Sequence, residues 1–359
     1  MVKILHAADF HLDSAFVALS EEQARQRRQE SRETMERLVD YANDHGAQLM
    51  LLAGDLFDGD NVYSQTGEML CTALRRFTGQ VVIAPGNHDS YQVKSAYARI
   101  ALPDNVHVFT GAEQESISFP QYGCTVYGAA FVGEEAPAWQ GFRVTGDEVA
   151  IGVLHGEVSG KDSPYRPISP NSIAKSGLDY LALGHIHQYS GVQTAGRTAW
   201  AYSGCLEGRG FDELGDKGFL FGEVDRGSVK LRFVPFALRC YEWIEVDVTD
   251  TGPLDAVLRQ LPLQTERDIY RIVLTGEVSE GIKLSELQES LAPRFYALEI
   301  RDKTRAAQDI WARQEEDTLR GLFLKKLRRQ YDAAQTEEER EQIEQAVRFG
   351  LAAMDNREL

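Results

Sequence analysis

The sequence predicts an α/β fold, a four-layer α-β-β-α sandwich of two mixed sheets, with a small α+β module and C-terminal helices behind it. Three observations carry this expectation. Short apolar runs recur through the first 240 residues and stop at Gly, Asp, Asn or His, as buried strands do. Strands mix with helical stretches early and run consecutively late, which calls for two layered sheets rather than one. Beyond residue 240 the pattern becomes a compact strand and helix mixture, and from 304 it is helical only.

Taken in order, residues 2–8 read as a buried strand with Asp9, Phe10 and His11 at its carboxyl end. In extended backbone residues i and i+2 point the same way, so Asp9 and His11 are expected to reach one site. Residues 20–45 read as a helix with Ser20 as N-cap, Gly46 as stop and Met35, Leu38, Val39 and Ala42 as its apolar stripe. Arg25, Arg28 and Arg32 share its outer face with several glutamates, so a solvated face is expected. The strand Leu51, Leu52, Ala53 ends in Gly54, Asp55, Leu56, Phe57, Asp58. A helix over 67–77 follows, then a strand over 81–84 ending in Pro85, Gly86, Asn87, His88, Asp89. Further strands are read at 125–130, at 150–154 ending in His155, at 180–183 ending in Gly184, His185, Ile186, His187, and at 198–202, 218–224 and 229–236.

The expected domains are 1–240, 241–303 as the α+β module, and 304–359 as a helical segment. In the last, Leu319, Leu322, Phe323 and Leu327 form one stripe and Ile343, Val347 and Leu351 another. With 359 residues and 43% apolar content, one large and one small core are available. A net charge of −17 counts against a simple nucleic-acid surface, although local basic faces remain open; Lys325, Lys326, Arg328 and Arg329 are one cluster, read first as solvated or partner-facing. Cys71, Cys124, Cys205 and Cys240 lack C-x-x-C spacing and read as buried free thiols of a reducing compartment. No basic leader precedes an apolar segment and no run reaches about 18 apolar residues, so a soluble, cytoplasmic chain without a membrane span is expected.

Five of the eight histidines stand at strand ends with Asp9, Asp55 and Asn87, while His6, His45 and His107 stand apart. Carboxylate and amide oxygens mixed with imidazoles suit Mn²⁺, Fe or Zn²⁺ rather than Ca²⁺. Two such ions held by a bridging carboxylate clamp a phosphoryl group and lower the pKa of water, and the leaving oxygen needs a proton donor. His88, beside Asn87, stands where it can supply that proton.

The set D-x-H, G-D-x-x-D, G-N-H-D, H-G and G-H-I-H, in this order, resembles the calcineurin-like metallophosphoesterase superfamily. The resemblance implies one ion held by Asp9, His11, Asp55 and His187, a second held by Asp55, Asn87, His155 and His185, and His88 as the catalytic histidine oriented by Asp89. Asp58, Gly59 and Asp60 replace the Asp-Arg-Gly that grips a terminal phosphate in phosphoprotein phosphatases. Ala8 to Leu12, Gly54 to Asp58 and Leu183 to His187 are instead similar to SbcD-type DNA-repair exonucleases, and the later layout resembles the YhaO-like branch. That likeness implies Mn²⁺ first, with Fe or Zn²⁺ behind it. It also implies a DNA substrate, double-strand-break repair, a capping domain after residue 240, terminal helices docking an SMC-like coiled-coil ATPase of the SbcC type, and a homodimer. Asp58 stands where eukaryotic and archaeal relatives carry histidine, so one catalytic histidine is expected.

Gly156 to Asp162 is a faint phosphate-loop pattern, short in spacing and lacking the Ser or Thr, so no ATP site is expected. Two other readings remain open: a phosphodiesterase for small cyclic or dinucleotide substrates, and a scaffold protein with a structural metal site.

Overall fold

The computed structural model describes residues 1–17, 19–59, 61–159, 163–278, 281–306 and 310–354. Asp60 and the end of the phosphate-loop pattern, Gly160, Lys161 and Asp162, lie outside them, as do 307–309 and 355–359 of the helical segment. The chain divides into two compact units, Met1–Ile244 with Pro262–Arg271 and Ala292–Glu299, and Glu245–Leu261 with Ile272–Leu291 and Ile300–Leu359.

In the first unit, β1 (Val2–Ala7), β2 (Leu49–Leu52), β3 (Gln80–Ile83) and β4 (Val106–Val108) pair in parallel. The other sheet begins with β5 (Glu115–Phe119) and has a parallel centre of β6 (Cys124–Gly128), β7 (Val149–His155), β8 (Tyr180–Gly184) and β10 (Thr198–Tyr202), with β9 (Gln193–Ala195) at its far edge. Strand β11 (Gly218–Asp225) returns to the first sheet antiparallel to β1, and β12 (Ser228–Pro235) pairs antiparallel with β11 at its edge. Both sheets are mixed, as expected, each with six strands.

Period-two alternation builds the layers. Leu5, Met50, Leu52, Val81 and Ile83 face outward onto α1 (Glu21–Asp44) and α2 (Ser64–Arg76), in a core that includes Met35, Leu38, Leu70 and Leu74. Their neighbours Ile4, Leu49, Leu51 and Val82 face inward, against Val126, Ile151, Val153 and Ala182 of the second sheet. The outer face of that sheet, through Leu154, Leu181 and Leu183, packs with Ile173 of α4 (Pro170–Lys175). A short helix α3 (Ala96–Arg99) follows β3.

Helix α1 starts at the expected N-cap, with Ser20 and Gln23 closing a capping box. Its guanidiniums do not all face solvent. Arg27 is fully buried, bonded to Glu30 and to Glu207, and Arg32 reaches Asp13 and Thr66. The four cysteines are buried free thiols.

Farther along, β13 (Tyr241–Asp247), β14 (Ile269–Thr275) and β16 (Ala297–Asp302) form a three-stranded sheet. Helices α5 (Pro253–Gln260) and α6 (Leu284–Leu291) punctuate it, and β15 (Glu277–Val278) pairs with β17 (Arg305–Ala306). The terminal helices α7 (Leu319–Ala333) and α8 (Glu337–Met354) enclose Trp311, Leu324 and Val347. Here the expected stripe is corrected: Leu324 faces inward with Phe323 and Leu327, whereas Leu319 and Leu322 are 75% and 62% exposed. Of the basic cluster, Lys325 pairs with Glu315 and Arg328 with Asp332.

Candidate metal centre

Strands β1, β2, β3, β7 and β8 deliver their carboxyl ends, and every ligand named from the sequence, to one place. Past β1 and β2 the two loops stay paired: the Asp9 N–H donates to the Gly54 carbonyl (3.0 Å), that of His11 to Asp55 (2.9 Å) and that of Leu12 to Leu56 (2.8 Å). Two glycines allow the loops to close. A side chain on Gly86 would meet the Asp55 carboxylate, and one on Gly184 would meet the Ala53 carbonyl.

The expectation of extended backbone between Asp9 and His11 is overturned. Both are left-handed, with φ of 54° and 43°, as is Asp55 at 52°, and His185 also has positive φ at 107°. Such conformations cost about 1–3 kcal/mol each in non-glycine residues and persist only where surrounding contacts enforce them. The side chains do converge, but by loop strain rather than by strand alternation.

Asp55 sits at the middle. Its Oδ1 accepts from the His88 backbone N–H (2.9 Å), while its Oδ2 lies 3.3 Å from His155 Nε2 and 3.8 Å from His11 Nε2. One carboxylate oxygen thus faces two groups of nitrogens. On one side, His11 Nδ1 lies 2.9 Å from Asp58 Oδ1, and His187 Nδ1 lies 2.6 Å from Glu213 Oε1. Ionised carboxylates only accept, so both Nδ1 atoms carry the hydrogen, and in the neutral rings both Nε2 atoms present lone pairs. These lone pairs face each other at 3.2 Å, with Asp9 Oδ1 3.8 Å from His187 Nε2. On the other side, His155 Nδ1–H donates to the Ala53 carbonyl (2.9 Å), leaving Nε2 to face Asn87 Oδ1 at 3.0 Å. The His185 ring stands edge-on to that of His155, centroids 5.2 Å apart.

Acceptors crowded in this way suit divalent cations between them. Asp9, His11 and His187 place ligand atoms within 4.8 Å of one another, as do Asp9, Asp55 and His155. The donor set fits two divalent ions sharing Asp55, with Asp58 and Glu213 orienting two of the imidazoles from behind. Among the protein groups alone, burial pushes Asp9 up to about 6 and His11 down to about 4. Burial opposes charge on His155 as well, but Asp55 and Asp9 outweigh it and hold the imidazole up to about 9; the same pairing keeps Asp55 well below the usual carboxylate range.

Asp89 does not orient His88. Its buried carboxylate accepts from the backbone N–H groups of Gly86, Asp55 and Leu56 and from the Tyr97 hydroxyl, tying the loops after β2 and β3 together. The carboxylate facing His88 is Asp58, with Oδ1 3.9 Å from Nδ1; His88 itself is 47% exposed at the rim.

Sequence reading missed Glu213 and Arg209. Arg209 donates to Glu213 (3.0 Å) and Asp58 (3.2 Å) from the loop between β10 and β11. No strand-end pattern marks them; the only signal is charge in a glycine-punctuated loop, Gly208-Arg209-Gly210-Phe211-Asp212-Glu213.

The family model for calcineurin-like phosphoesterases matches residues 2–189. The chain is 33% identical over 271 residues to the uncharacterized metallophosphoesterase YhaO of Bacillus subtilis, covering 72% of this chain and 66% of that protein. It is 23% identical to the DNA double-strand break repair protein Mre11 of Methanopyrus kandleri, over 68% of this chain and 57% of the relative. It is 25% identical to the SbcD component of the nuclease SbcCD of Bacillus subtilis, over 60% of this chain and 64% of the relative. The matches thus span less than two-thirds of these curated relatives. With the family model spanning the candidate site residues from Asp9 to His187, the chain belongs to the calcineurin-like phosphoesterases.

Proposed function

We infer that the protein is a divalent-metal-dependent phosphodiesterase that cleaves DNA. The observation that carries this reading is the Asp55 Oδ2 oxygen, placed between two lone-pair-lined groups, with His88 exposed at their rim. Asp9, His11, Asp55 and His187 would hold one ion, and Asp55, Asn87, His155 and His185 the other. The mixed oxygen and imidazole set suits Mn²⁺ first, with Fe or Zn²⁺ behind it. Bound there, the ions supply Lewis-acid stabilisation of phosphoryl charge and an acidified water.

The chain's own residues do the rest. His88, steered by Asp58, protonates the leaving sugar oxygen. The Arg209 guanidinium is engaged by two carboxylates, which leaves a phosphodiester, rather than a terminal phosphate needing its own clamp, as the substrate this site favours. The names of the Mre11 and SbcCD relatives support a DNA substrate and a role in double-strand-break repair. Residues 241–303 are proposed as a capping domain. The exposed Leu319 and Leu322 of α7 support residues 304–359 as the docking segment for an SMC-like ATPase of the SbcC type.

Purified protein with Mn²⁺ should cleave linear DNA and bis-p-nitrophenyl phosphate, and His88→Ala should lose both activities. Cleavage of the small ester alone favours a small cyclic or dinucleotide substrate. No metal-dependent cleavage of either, even with the ATPase added, leaves a scaffold.

A further inference from the structure

Arg209 occupies a position that ligand motifs do not account for. Its Nη1 lies 3.2 Å from Asp58 Oδ1, the same oxygen that accepts from His11 Nδ1. Its Nη2 lies 3.0 Å from Glu213 Oε1, the same oxygen that accepts from His187 Nδ1. The Arg209 backbone N–H also donates to Glu213 Oε2 (2.8 Å), so this carboxylate is held at both oxygens. Nη2 approaches His187 Nδ1 to 3.2 Å as well, and the shorter 2.6 Å contact fixes that nitrogen as donor to Glu213.

The root of the loop is equally fixed. Glu207 accepts from Arg27 (2.9 Å), Thr34 (2.7 Å) and the Leu238 N–H (2.7 Å), so the backbone two residues before Arg209 is anchored to α1 and to the strand exit beyond β12. One guanidinium therefore spans the two carboxylate oxygens that aim the two imidazoles of one ion site. Asp58 comes from the loop after β2 and Glu213 from a loop more than 150 residues later, and among the described residues Arg209 is the cation bonded to both.

We propose that Arg209 is a positioning residue for the Asp9, His11, Asp55 and His187 site, a brace coupling Asp58 to Glu213 so that the His11 and His187 rings are set as a pair. Planarity suits arginine to this work, because its fork addresses two acceptors at fixed separation whereas a lysine ammonium is a point charge. The rival role is a direct grip on substrate phosphate, and Nε, buried with no hydrogen-bond partner among the described residues, makes that rival worth separating.

The proposal rests on these histidines being metal ligands, and the test separates the two ideas. Calorimetric titration of the full chain with Mn²⁺ alone is compared for wild type, Arg209→Met and Arg209→Lys, with kcat and KM on bis-p-nitrophenyl phosphate at saturating Mn²⁺. Loss of an orienting partner typically costs 10- to 100-fold in metal affinity. The expected result is one Mn²⁺ step weakened by about tenfold or more in Arg209→Met, a smaller loss in Arg209→Lys, and KM little changed. Asp58→Asn and Arg209→Met should be non-additive, as coupled neighbours are. Unchanged Mn²⁺ binding with a raised KM would overturn the brace in favour of a substrate contact, and additive losses would remove the coupling. If Arg209→Met does not fold, Arg209→Lys decides alone: weakened Mn²⁺ binding supports the brace and wild-type binding overturns it. Failure of the wild type to bind Mn²⁺ would overturn the metal-site reading itself, and the brace with it.

Discussion

The two halves of the centre are built by different means. In the half around His11 and His187, both rings are aimed by charged side chains, Asp58 and Glu213, themselves tied by Arg209. In the half around His155, the ring is aimed by a neutral backbone carbonyl, that of Ala53. The backbone is buttressed in turn by the buried Arg166, which donates to the carbonyls of Ala129, Ala130 and His155. A carboxylate behind an imidazole raises its basicity more than a carbonyl does, so the first half should hold its ion more tightly. The second half is set by the fold itself and has fewer parts to lose.

The largest effect should come from the residue common to both. Asp55→Asn removes one charge from two sites at once, and activity should fall by at least about 10³-fold, since the ions carry several kcal/mol of transition-state stabilisation. Electron paramagnetic resonance of the Mn²⁺ form should lose its spin-coupled pair signal. A retained pair would break the assignment of Asp55 as the bridge.

His88→Ala belongs to neither half. It should lower kcat by about 10²- to 10⁴-fold, with both Mn²⁺ steps of a calorimetric titration intact. Weakened metal binding in this variant would make His88 a ligand and redraw the centre.

Glu213→Gln sharpens the contrast directly. It should weaken the tighter Mn²⁺ step by about 10- to 100-fold and leave the other in place. Loss of the weaker step instead would reverse the ranking of the halves.

The smallest effect concerns His6, which serves as an internal reference because only neutral groups hold its ring. Nε2–H donates to the Leu183 carbonyl (3.1 Å), and Nδ1 accepts from the Tyr180 hydroxyl (2.8 Å). Burial lowers its pKa to about 3. The unfolded chain, titrating near 6.5, binds this proton more readily than the folded one, so the contribution is complete above pH 6.5 and drains away as pH falls toward 3. Between pH 6.5 and 5 it amounts to about 2 kcal/mol. Thermal melts of His6→Gln over that range should show a shallower pH slope than wild type; equal slopes would remove His6 from the acid sensitivity.

The convergence of the candidate ligands was legible in the sequence because most of their motifs carry turn chemistry beside them, as Gly54 does for Asp55 and Gly86 for Asn87. The residues aiming those ligands were not. Glu213 and Arg209 act through a chain reversal that only the return of β11 to the first sheet creates. Asp89 stands beside His88 in sequence but turns into the core to satisfy four backbone donors, so adjacency misassigned it. The edge strands β4 and β9 escaped because three residues each, partly exposed, show no usable alternation. In α1, the sequence offered no sign of the buried Arg27, since its partner Glu207 lies 180 residues away.

The left-handed backbone at Asp9, His11 and Asp55 has a consequence for how the protein can change over time. Glycine at any of these positions would relax the chain, while removing a ligand. The most accessible route to a sturdier molecule therefore runs through loss of its chemistry, and stability and activity pull in opposite directions at the same three residues. A lineage released from the need for catalysis should shed these side chains early.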